Sequence, residues 1–200
     1  MLSRFLPDTS RYRFLFLEVS LTVFGVLLGL AANEWRKAEA AEDRTQVALQ
    51  TIRKELEDNL EEVENEIPYH ENMRDSLLAA RQDLSPETKG EFGRLSQAMP
   101  KGFTVAEVRS NAWELANRTG ALQNVDYPLA AQLAEVYGVQ QNYRSTAEKM
   151  QDNLYVAQNL SDANYLIFAL GNLVNDVLNR EKRLRTMYRD AIRRLKAREP

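Results

Sequence analysis

Residues 14–32 read Phe-Leu-Phe-Leu-Glu-Val-Ser-Leu-Thr-Val-Phe-Gly-Val-Leu-Leu-Gly-Leu-Ala-Ala, with one charge, Glu18, in the run. A helix rising about 1.5 Å per residue covers most of a ~30 Å hydrocarbon core over that length. Arg11 and Arg13 precede the run, and Trp35, Arg36 and Lys37 follow it as an aromatic and basic anchor at one interface. The segment therefore predicts an N-terminal transmembrane helix. A cleaved signal peptide is the competing reading, with Gly29-Leu30-Ala31 as a faint cleavage site. The run is long for a signal core and carries Glu18, which favours a retained anchor.

One side of this helix differs from the rest. Glu18, Thr22, Gly25, Gly29 and Ala32 recur at spacings of four and three and so share a stripe, while Leu and Val cover the remaining surface. Gly25 to Gly29 is a GxxxG pattern, which admits close approach of a second helix where lipid supplies no hydrophobic drive. A carboxyl at Glu18 is costly against acyl chains and cheaper against a polar partner. The stripe is the expected docking face.

Working outward, nothing breaks the helix from Lys37 to Pro68. Leu49, Ile52, Leu56, Leu60 (with Asn59), Val63 and Ile67 fall three or four residues apart among charged residues. This predicts an amphipathic stalk extending the membrane helix by about 45 Å. Pro68 is expected to kink or end it, with Met73, Leu77 and Leu84 on a shorter helical piece. Ser85-Pro86 opens a turn-rich connector running to Phe103. Thr104-x-x-Glu107 reads as a capping box opening a short helix through Arg118, closed by Gly120. Asp126 caps the next helix, with Pro128 in its first turn. Leu129, Leu133, Val136, Tyr143, Ala147, Met150, Leu154 and Ala157 then keep a near-heptad stripe. Ser161 or Asp162 caps a last long helix, whose apolar stretch Tyr165–Val174 is too short to span a bilayer and reads as bundle core.

The expected organisation is a basic tail (1–13), a transmembrane helix (14–35), a helical stalk (36–84), a connector (85–103) and a helical bundle (104–200). The fold class is all-α, with an antiparallel, coiled-coil-like bundle. Few short breaks agree with this: 8 glycines and 6 prolines in 200 residues.

The run Glu18…Gly25-Val-Leu-Leu-Gly-Leu-Ala-Ala-Asn33-Glu34-Trp35 resembles a family of bacterial single-span proteins with an early Glu and the pattern G-[VI]-L-[LI]-x-L-x-x-[ND]-x-W before a charged helix. Ala112-Trp-Glu-Leu-Ala-Asn-Arg-Thr-Gly120-Ala-Leu, followed by Leu133–Tyr137, is similar to that family's second feature. Tyr137-Gly138 departs from the aromatic pair found there. The resemblance implies an architecture and no activity.

Composition narrows the function classes. A net charge of −3 argues against a nucleic-acid binder, and the absence of cysteine removes disulfides, thiolate metal sites and cysteine nucleophiles. His70, the single histidine, sits among Glu66, Glu71 and Asn72 and reads as a surface or capping residue rather than a ligand. The acidic run Glu57, Asp58, Glu61, Glu62, Glu64 and Glu66 reads as a solvated stalk face. Tyr127, Tyr137, Tyr143, Tyr155 and Tyr165 read as packing residues. Asn117-Arg-Thr and Asn159-Leu-Ser match the glycosylation sequon by composition alone. No nucleotide loop or nucleophile elbow is present. Arg180, Lys182, Arg183, Arg185, Arg189, Arg193 and Arg194 form a basic run, read either as a solvated helix end or as a contact for anionic lipid or an acidic partner.

The expectation is a protein that is not an enzyme and holds no metal or cofactor. It is read as an accessory subunit of a larger membrane complex, in an energy-transducing or transport assembly for example. Its partners would be other membrane subunits and the lipid bilayer. The alternatives are a self-associating scaffold or tether and a ligand sensor. Charge around the helix, with a short tail weighing more than a long domain, favours the N-terminus inside and the domain outside. With the bacterial resemblance this is expected to be an inner membrane, N-terminus cytoplasmic and domain periplasmic.

Overall fold

The computed structural model describes residues 9–82, 97–157 and 163–198; the side chains of 9–15, 82, 150–157 and 163–166 are likewise outside the description. The tail before residue 9, most of the connector, Leu84, Asn159, the Ser161/Asp162 cap, and the side chains of Met150, Leu154, Tyr155, Ala157 and Tyr165 therefore lie outside the described residues. Among the described residues the fold is all-α. It contains α1 (Thr9–Gln82), α2 (Asn111–Arg118), α3 (Tyr127–Ala157) and α4 (Ala163–Lys196), with no strand. By internal contacts the chain divides into two units, Met1–Arg44 and Thr45–Pro200, and α1 contributes to both.

Within the second unit each long helix buries a stripe stepping by threes and fours. On α3 it runs Leu129, Leu133, Val136, Gln140, Tyr143, Ala147, and on α4 Leu170, Val174, Val177, Glu181, Leu184, Tyr188, Ala191, Leu195. On α1 it includes Ile52, Leu56, Asn59, Val63, Ile67, His70, Met73 and Leu77. These stripes meet in one large apolar cluster around Ile52, Leu56, Leu133, Leu184 and Tyr188, and in a second around Met73, Leu77, Ile167, Leu170 and Val174. The 45–82 part of the expected stalk is thus one wall of the bundle. Within Tyr165–Val174, Ile167, Leu170 and Val174 are core, whereas Phe168 stays about half exposed at 47% with the Arg81 guanidinium 5.0 Å above its ring.

α3 runs in the same direction as α1: Tyr137 meets Glu55, and Gln140 meets Asn59. α4 runs the opposite way, and its register is marked by charge. Glu57 pairs with Lys196 at 2.9 Å, Glu64 with Arg189 at 2.5 Å and Glu71 with Lys182 at 2.6 Å. Each step of seven up α1 is matched by a step of seven down α4. Exposed pairs of this kind contribute about 0–1 kcal/mol each, so they select a register more than they stabilise it. The lysines hold the Glu57 and Glu71 carboxyls below the usual range, through their hydrogen bonds first.

Two sequence expectations are corrected. Pro68 does not end the helix: α1 continues through it to Gln82. The ring is on the exposed side, while Ile67 and His70 on the other side are held by core packing that outweighs the lost backbone hydrogen bond. The helix expected from Thr104 begins only at Asn111, and Thr104–Ser110 has no regular structure. Thr104 does not cap; its hydroxyl donates to Glu66 Oε2 at 2.9 Å, while tertiary hydrogen bonds claim the backbone that a helix would have used. The Gly120 turn and the Asp126 cap occur as expected. Gly120 takes φ +67°, Ala121 N–H reaches Ala116 C=O, and Leu129 N–H donates to Asp126 Oδ1 at 3.2 Å.

Pro68→Ala should return a backbone donor to α1 without touching the core. An interior proline costs a helix up to about 3 kcal/mol, so the variant should be more stable by about 1–3 kcal/mol. Thermal unfolding in mild detergent measures this; a lowered midpoint would mean that the ring has a role in packing.

Candidate functional site

Two features qualify, one in each unit. In the first, α1 carries an apolar stretch long enough to cross a bilayer by length and composition, and none of it is buried within the chain. From Phe16 to Leu30 its large apolar side chains are between 52% and 76% exposed. Glu18, Thr22, Gly25, Gly29 and Ala32 are all exposed as well. The Thr22 hydroxyl is satisfied within the helix, donating to the Glu18 carbonyl at 2.9 Å, a habit that lets Thr sit in lipid. A Cβ added at Gly25 or Gly29 would meet nothing within 4 Å. Nothing in this unit's own packing demands glycine there. The expected interface anchor follows: Trp35 is 70% exposed, Arg36 is exposed, and Lys37 pairs with Glu34 at 2.8 Å.

In the second unit the non-helical segment 104–110 lies against α1 and α3, and side chains of the helices answer its backbone. The Asn59 amide spans Arg109, donating to its carbonyl at 2.8 Å and accepting from its N–H at 2.8 Å. Gln140 donates to the same carbonyl at 2.8 Å and accepts from the Tyr188 hydroxyl at 2.8 Å. One layer further, His70 Nε2 bonds the Thr104 carbonyl at 2.9 Å and His70 Nδ1 faces Glu181 Oε2 at 2.9 Å. Tyr143 donates to Glu181 Oε1 at 2.9 Å and accepts from Ala106 N–H at 2.9 Å. Asn59, His70, Gln140 and Glu181 are at most 1% exposed. His70 is therefore a core residue rather than the surface or capping residue its neighbours in sequence implied. Burial first, then the Glu181 carboxylate, pushes the Tyr143 phenol up and keeps it protonated.

At the lower end of the segment, Glu55 takes over the N-terminus of α2. Ser110 makes no side-chain cap, and Glu55 accepts from Ala112 N–H at 2.8 Å while the Tyr137 hydroxyl donates to it at 2.8 Å. A carboxylate there opposes the positive end of the helix dipole. The Trp113 and Tyr137 rings stack at 5.0 Å over this joint, and the Thr45 hydroxyl donates to the Ala121 carbonyl at 2.8 Å.

Comparison with family models, curated proteins and solved structures found no match. Among the described residues no group of acidic and histidine side chains is arranged to hold a metal ion.

The basic run of α4 is brought against the acidic run of α1. Lys182 and Arg189 are engaged in the ladder, and Arg185 adds its charge near Glu71. Arg180 pairs with Asp176, Arg183 with Glu135 at 3.8 Å, and Arg193 with Asp190. Arg194 borders an open groove that also holds Asp126 and Arg198. The periodicity held a signal for the buried layers: Asn59, Gln140 and Glu181 occupy core positions of otherwise apolar stripes. The ladder was visible too, as acids and bases recurring every seven residues.

Asn59→Leu keeps the branching of the side chain, with more bulk, and removes the acceptor of the Arg109 N–H. It should destabilise the bundle by about 1–3 kcal/mol, with the hydrogen-exchange protection of Arg109 falling most. Uniform loss of protection along the whole chain would contradict a local role for Asn59.

Proposed function

We propose that this chain is a non-catalytic, membrane-anchored accessory subunit. Its N-terminal helix docks against other membrane subunits, and its helical bundle braces their extramembrane parts. The observation that carries the reading is the wholly unburied apolar stretch of α1, which requires lipid or protein around it. Glu18 within that stretch favours protein on its side, since an ionisable group in a membrane helix is generally turned towards a partner or a polar cavity. Gly25 and Gly29 would let that partner approach closely.

A structural role is favoured by how the buried polar groups are used. A His–Glu–Tyr cluster resembles acid–base machinery, but here His70 and Tyr143 spend their hydrogen bonds on Glu181 and the backbone of residues 104 and 106. His70 and Glu181 have no exposed surface from which to meet a substrate. The location that fits is a bacterial inner membrane, with the N-terminus cytoplasmic and the bundle periplasmic. A second reading, a self-associating scaffold, uses the same helix face on a copy of this chain.

Extraction from the native membrane in mild detergent, followed by mass and stoichiometry of what co-migrates, separates the two. Larger subunits in fixed ratio support the accessory role; a species made only of this chain supports the scaffold. Gly25→Leu with Gly29→Leu should reduce co-migration at least tenfold while the bundle's unfolding is unchanged. Full retention of partners by that double variant would refute docking through this face.

A further inference from the structure

We propose that His70, Glu181 and Tyr143 form a one-proton latch that fastens residues 104–106 to the bundle and releases them as pH rises. The hydrogen-bond directions leave little freedom. The Thr104 carbonyl can only accept, so His70 Nε2 carries a proton. The Tyr143 oxygen accepts from Ala106 N–H, so its own proton goes to Glu181 Oε1. One position is left, the 2.9 Å gap between His70 Nδ1 and Glu181 Oε2. It must hold one proton: none leaves a lone pair facing a carboxylate in a dry core, and a second has no room. The wild-type cluster closes a loop from the Thr104 carbonyl through three side chains back to Ala106 N–H, and that single proton completes it.

The surroundings set its sign. On α1, Glu66 faces His70, the Tyr69 ring lies 5.7 Å away, and Glu71 is neutralised by Lys182 of α4. α4 supplies Glu181 and α3 supplies Tyr143; the segment supplies the Thr104 carbonyl and the Phe103 ring at 5.9 Å. Burial alone would lower the His70 pKa, but the hydrogen bond and charge of Glu181, the Thr104 carbonyl and Glu66 together raise it above the ordinary 6.5. The folded chain thus holds a proton that an unfolded chain has released. Its stabilisation is complete below about pH 6.5 and is lost as pH rises through the folded value.

Glu181→Gln makes a sharp test, because an amide can replace the shared proton with a fixed one. The amide nitrogen of the variant would donate to a neutral His70 Nδ1 while its carbonyl oxygen still accepts from Tyr143. Protonation of His70 would then set two donors against each other. In the full-length protein, the exchange protection factor of the Ala106 amide should fall with rising pH in the wild type, by up to about tenfold per pH unit. In Glu181→Gln it should fall with decreasing pH instead. The same sign of slope in both proteins would overturn the latch. Should the variant not fold, the wild type alone decides, since its single histidine gives one assignable imidazole. At about pH 6.5, where an ordinary imidazole is half protonated, both ring nitrogens should read as predominantly protonated. A neutral ring there would overturn the proposal.

Discussion

A backbone that is neither helix nor strand brings unpaired N–H and C=O groups into whatever it packs against, and a dry core tolerates them only when something answers each one. Residues 104–110 impose that condition on this bundle. Asn59, His70, Gln140, Tyr143 and Glu55 are the answers, one layer after another from the Thr104 carbonyl to the first turn of α2. An all-apolar stripe on α1 would form a helix equally well, yet it would have no means of holding this segment. The polar residues thus specify where the segment lies, and the apolar ones supply the drive to collapse.

Charge plays a different part from polarity here. The Glu57, Glu64 and Glu71 pairs lie at the rim of the α1–α4 contact, partly exposed, and contribute little energy each. Their common spacing makes a shift of α4 by one turn expensive all the same, since every pair would be broken together. Core layers with Gln140–Tyr188 and His70–Glu181 penalise the same slip from inside. Register is therefore written twice, once at the rim and once in the core.

The parts that could be read from the sequence were those set by local chemistry. The apolar run at 14–32, the near-heptad stripe of α3, the Asp126 cap and the Gly120 turn each depend on a few adjacent residues. Pro68 and Thr104 misled for the complementary reason: both carry strong local preferences that partners distant in the chain override. His70 shows this most clearly, since its neighbours in sequence are acidic and solvated while its hydrogen-bond partners are 34 and 111 positions away. Asn59 stands beside Leu60 in sequence, and its place between Leu56 and Val63 marks a core position. The stripe of small and polar residues on α1 can be named from spacing alone, but whether anything lies against it depends on a second molecule that this sequence does not describe.

The separation between His70 and Glu181 also has a consequence in time. A ribosome adding about 5–20 residues per second needs roughly 6–20 s to travel from one to the other. During that interval α1 has emerged with its buried stripe uncovered, its histidine unmatched and its acidic edge without the bases of α4. Low-contact-order bundles fold within milliseconds once their parts exist, so synthesis rather than folding sets the length of this exposure. Until α4 follows, the apolar stripe of residues 45–82 has nothing of its own bundle to close over it and is open to chaperones and to neighbouring chains.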